Sequence, residues 1–149
     1  MARYPLEAAR TIKASQRERA ERTLAEAVRA GDQAAAATKA AAASLEAFRT
    51  DERKRAAQAQ SPASGAALRR QRAFQERKQA EEDALVRALR GAVREERRCS
   101  ERAREAKRAL VEASVDEKVV ERHHERWARG EAKLAERAEE REREENSRA

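Results

Sequence analysis

At 149 residues the chain is long enough for one ordinary domain, yet 42% of it is charged and only 3% is aromatic. Most of the 40% counted as hydrophobic is alanine, which offers few methylenes to bury, so a thick core and an enclosed pocket are excluded and an enzyme is not expected. The formal charge of +7 comes from 35 basic residues set among 28 acidic ones.

The signs are interleaved, as in Glu18-Arg19, Glu21-Arg22 and Glu95-Glu96-Arg97-Arg98. Such a pattern reads as a solvated helix face rather than as a nucleic-acid surface, which gathers its cations and adds stacking aromatics. The densest positive stretches are Arg53-Lys54-Arg55 and Arg69-Arg70-Gln71-Arg72, which flank one turn signal and suit an acidic protein partner.

In chain order, Met1 to Leu6 lacks the apolar run of a signal peptide, so a cytoplasmic location is expected. Pro5 is suited to the first turn of a helix, and the first helix is expected over about 5–60. Within it Ala20, Leu24, Ala27, Gly31, Ala34, Thr38, Ala41, Leu45 and Phe48 recur at four-three spacing, a heptad seam. Gly31 lies on that seam, where it is expected to permit close approach of a partner helix.

Ser61-Pro62-Ala63-Ser64-Gly65 then ends the helix, because proline disfavours helical backbone at the residue before it. A second helix is expected over about 66–144, with a stutter between Leu85 and Leu89. Its seam continues through Ala92, Cys99, Ala103, Ala106, Leu110, Ala113, Val120, Trp127, Leu134 and Ala138.

Two amphipathic helices about one break give an all-α fold, a long antiparallel two-helix coiled-coil hairpin forming one unit over 1–149. Folding about Ala63 sets Leu6 against Val120 and Tyr4 near Arg122 and His123. It also leaves a C-terminal helical overhang from about His123, in which Trp127 and Leu134 would meet a partner rather than the hairpin core. Phe48 is in phase with the seam and reads as core, whereas Phe74 lies before the stutter, where the register is open.

No residue set points to catalysis or to a cofactor. Adjacent His123 and His124 point about 100° apart on a helix and do not converge on one metal ion. Cys99 is the sole cysteine, so no internal disulfide is possible. No segment approaches the ~20 apolar residues of a membrane span, and direct membrane insertion is not expected.

The opening Arg3-Tyr4-Pro5-Leu6-Glu7 and the later Arg104 to Leu110, Glu117 to Arg122 and Trp127 resemble the FliJ/YscO family of type III secretion stalk proteins. Glu131 to Ala138 is similar to that family's acidic ending, although Ala135 stands where aspartate is usual. The resemblance implies a non-enzymatic, cytoplasmic central stalk, peripheral to the inner-membrane export apparatus. It implies that Tyr4, Leu6, Val120, Arg122 and Trp127 face a hexameric export ATPase. Leu45, Phe48 and Phe74 would lie toward the cytoplasmic ring of the export gate, and export chaperones are partners of some members. Whether the system is flagellar or an injectisome stays open. The alternative is a generic coiled-coil scaffold or adaptor, and a basic nucleic-acid-binding rod is the weaker third reading.

Overall fold

The computed structural model describes residues 3–148, which are all-helical apart from short non-helical segments. Two long helices, α1 (Glu7–Gln58) and α2 (Gly65–Arg148), pack against each other. No helix among the described residues is long and apolar enough to cross a membrane.

Local chemistry fixes the ends. Leu6 caps α1 by accepting from Arg10 N–H at 2.9 Å, and Glu7 places a carboxylate in the first turn, where the helix dipole favours it. Ser64 caps α2, its hydroxyl accepting from Ala67 N–H at 3.2 Å and its carbonyl from Leu68 N–H at 3.0 Å. The six residues between Gln58 and Gly65 are outside either helix, with Pro62 among them.

The contacts divide the chain into a terminal unit, residues 3–25 with 105–148, and a turn unit, residues 26–104. In the turn unit the covered face of α1 is the heptad row: Ala27, Gly31, Ala34, Thr38, Ala41, Leu45 and Phe48 are all buried or half-buried. Leu45 and Cys99, each 5% exposed, and Ala34, 8% exposed, are the most buried residues of this unit. Thr38 is accommodated there because its hydroxyl donates back to the Ala34 carbonyl at 3.1 Å. The intervening alanines, Ala35, Ala36, Ala37, Ala42 and Ala43, are exposed, so they favour helix through propensity and not through packing.

In the terminal unit the seam row of α2 carries Ala106, Leu110, Ala113, Glu117, Val120, His124 and Trp127, all buried or half-buried. One of its positions is an ion, Glu117, which Arg17 of α1 pairs with at 2.6 Å. Arg10 with Glu121 (2.6 Å) and Lys13 with Asp116 (2.8 Å) flank the same contact.

These partners correct the expected register. Folding about Ala63 would set Arg10 against Asp116 and Arg49 against Arg77; instead Arg10 reaches Glu121 and Arg49 reaches Glu82. The displacement exceeds one helical turn. Its cause is the connection: residues 59–64 are not helical, so they cover more distance per residue and α2 begins beyond the end of α1. Leu68 and Phe74, on the early turns of α2, are 39% and 41% exposed.

Gly31 is a second correction. A Cβ built there meets nothing within 4 Å, so the glycine does not serve close approach. Gly31→Ala is therefore expected to raise stability by ~1 kcal/mol, through helix propensity and lost unfolded-state freedom. In thermal denaturation the midpoint should rise by roughly 2–4 °C; a lower midpoint would mean that the seam closes tightly on Gly31.

Candidate functional site

Tyr4 is the most buried aromatic of the chain, 5% exposed, although it lies outside any helix. A turn joins it to α1, the Tyr4 carbonyl accepting from Glu7 N–H at 3.3 Å. Its ring stacks edge-on to His124 at 4.7 Å between centroids and tilts against Trp127 at 5.2 Å and His123 at 5.8 Å. Its hydroxyl shares a 2.8 Å hydrogen bond with His123 Nδ1, which it donates when the imidazole proton sits on Nε2. The four rings close the start of the chain onto α2.

Trp127 is thus half-buried against Tyr4, not free in an overhang as the sequence suggested. The register shift and the non-helical residues before α1 together carry the cover past His123. Of the other residues expected at this end, Val120 is half-buried in the seam, Leu6 is 43% exposed and Arg122 is exposed. Cover ends at Glu131: residues 132–148 of α2 are exposed throughout, with Leu134 at 60%. The overhang is real but begins later than expected and carries little apolar surface.

Beside this cluster Arg10 and Glu121 polarise one another. The hydrogen bond from Arg10 holds the Glu121 carboxyl below its ordinary range, and the same bond raises the Arg10 guanidinium. Arg17 is raised likewise, first by its bond to Glu21 and then by the charge of Glu117.

In the turn unit Phe48 is half-buried and Phe74 exposed, and Lys78 links them. Its Nζ lies 5.5 Å from the Phe48 ring centroid and 5.7 Å from that of Phe74, within range of a cation–π contact to each, while it donates to Glu81 at 2.9 Å. Leu45, expected to face a partner here, is buried in the seam and contributes packing instead. Sequence reading missed Lys78, although its i+4 spacing from Phe74 was the available signal. The basic stretch near the end of α1 is partly neutralised, Arg53 by Glu46 and Arg55 by Glu52.

Comparison with protein-family models, with curated proteins and with solved structures gives no match for this chain.

Trp127→Ala should lower the unfolding free energy by about 1–3 kcal/mol, since it removes the platform under Tyr4. Tyr4→Phe should cost about 1 kcal/mol, the value of one hydrogen bond. Urea titration followed by circular dichroism measures both, and an unchanged midpoint for Trp127→Ala would show that the cluster contributes nothing to folding.

The Arg10–Glu121 pair gives a pH signature. Because the folded carboxyl titrates below its ordinary value of 4.5, its contribution is complete above that value and is lost as pH falls from there through the lowered one. The stability difference between the parent chain and Arg10→Gln should be constant near neutral pH and shrink on acidification below 4.5. A difference unchanged through that range would show that the pair does not set it.

Proposed function

We propose that the chain is a non-enzymatic antiparallel coiled-coil hairpin that serves as the central stalk of a type III secretion export apparatus, coupling a hexameric export ATPase to the export gate. The observation that carries this reading is the terminal unit. There the ring cluster of Tyr4, His123, His124 and Trp127 closes onto α2, and a bare, charged helix continues from residue 132 to 148. A helix of dense mixed charge, as in Arg137-Ala138-Glu139-Glu140-Arg141-Glu142-Arg143, fits a polar sleeve better than an apolar groove. The sequence resemblance at Tyr4-Pro5-Leu6 and around Trp127 names the sleeve as the channel of the ATPase ring. In the turn unit the Phe48–Lys78–Phe74 group would meet the export gate, presenting an exposed aromatic beside a cation. This assignment places the chain in the cytoplasm at the inner-membrane apparatus.

A second, less specific reading is a coiled-coil scaffold or adaptor with no tie to secretion, which the covered heptad row of α1 supports equally. Binding separates the two. A chain truncated after Glu131 retains every covered seam residue and should melt with the full-length protein. It should lose at least half of the stimulation of ATP hydrolysis that the full-length chain gives its export ATPase. Equal stimulation by the truncated chain would remove the tail from the site. If the intact chain neither binds nor stimulates the ATPase, the stalk reading fails and the scaffold reading stands.

A further inference from the structure

Folding does not account for one feature of the outer face of α2. Val111, Val115 and Val119 follow one another at i, i+4 and i+8, and they are 56%, 53% and 59% exposed. Together with Val120 they are four of the chain's seven valines, gathered within ten residues. Single exposed apolar residues are ordinary, but three in one row form a stripe. Valine is also a poorer helix former than the alanine, arginine and glutamate used elsewhere on the solvent faces, so propensity does not select it.

Charge is sorted around this stripe. The carboxylates of the segment are taken up on the α1 side: Asp116 by Lys13, Glu117 by Arg17 and Glu121 by Arg10. On the outer face Arg108 precedes the valines and Lys118, Arg122 and Arg126 accompany or follow them; none of the four forms an ion pair among the described residues. Two acids share that face, Glu112 and Glu125, and Glu125 is paired with Arg129. The result is a short apolar stripe bracketed by uncompensated cations.

From this we infer that the outer face of α2 between Arg108 and Arg126 is a docking strip for an amphipathic helix of a partner protein, one whose own apolar stripe is bracketed by acidic residues. Charge decides the occupant. A second copy of this chain would have to bring the same stripe, because a two-fold contact is self-complementary. Laid antiparallel about Val115, it sets Arg108 against Arg122; laid parallel, it sets each arginine against itself. Both arrangements put like charges at the ends of the contact, which an acidic partner replaces with opposite ones. A lipid surface is a poorer fit, since three valines without Trp, Phe or Leu give little to insert. The strip is small, and the complex belongs to the weak, transient class. This inference does not depend on the secretion reading, because it rests on the exposed face alone.

The probe is a fluorescein-labelled 21-residue peptide helix with leucines at i, i+4 and i+8 and glutamates in the turns before and after them. Binding to the full-length chain is followed by fluorescence anisotropy at low and moderate salt. The expected dissociation constant is in the micromolar range. It should rise at least fivefold for Val115→Ser, which leaves every charge in place, and at least fivefold for Arg108→Ser with Arg122→Ser. Arg69→Ser with Arg70→Ser, which removes the same charge from the turn unit, should leave it within twofold. Circular dichroism establishes that each variant keeps its helicity.

Equal binding by Val115→Ser, or equal loss from the Arg69 and Arg70 substitutions, would reduce the interaction to non-specific charge and overturn the proposal. Sedimentation showing a dimer of the free chain that Val115→Ser dissolves would assign the strip to a second copy. Val115-dependent binding to phosphatidylserine vesicles, without binding to the peptide, would assign it to a membrane. Either result overturns the partner-helix inference.

Discussion

The seam between the helices is one side chain deep, and the rest of the structure follows from that constraint. Leu45, Cys99, Ala34, Ala106 and Tyr4 are the buried apolar residues, and no side chain among those described is wholly removed from water. A contact this thin supplies little apolar burial per residue. Helix propensity from the alanines and pairing between the helices make up the difference. Where an apolar residue is missing from the row, an ion pair substitutes, as Arg17 and Glu117 do. Each exposed pair contributes only a few tenths of a kcal/mol, yet pairs also fix register, because a shift by one turn would bring unlike partners out of reach.

The same thinness makes the ends decisive. A two-helix contact has no third element to cover its last turns, so each end is closed by what the chain places there. In the terminal unit the closure is Tyr4, an aromatic carried on the turn before α1, which seals the seam against His124 and Trp127. In the turn unit no comparable cap covers Phe74, and Lys78 screens its ring and that of Phe48 with a cation. One closure is apolar and hydrogen-bonded, the other polar and partly open.

Much of this was legible in the sequence, and the limits have physical causes. The α1 row from Ala20 to Phe48 is covered at every position, because period and side-chain size both pointed to it. The α2 row was legible where it was apolar; Glu117 sits in it unannounced, since a charged residue joins a seam only when a specific partner neutralises it. Register was not legible, because it depends on how far six non-helical residues travel, and that error misplaced the cover over Trp127. Gly31 was read as a close-approach device from its position alone, whereas space around it depends on the side chains opposite. The valine stripe lies outside the seam, so heptad spacing does not point to it.

The two helices pack against each other, and the proposed hairpin requires that they do so within one chain and in opposite directions. The direct measurement is a spin-label distance between Thr11 and Lys118, both exposed and both in the terminal unit, in a chain carrying Cys99→Ser and diluted with unlabelled protein. With helix axes about 8–10 Å apart, the account predicts a single distance below about 25 Å that is independent of dilution. A distance several helical turns longer, or one that vanishes on dilution, would contradict it.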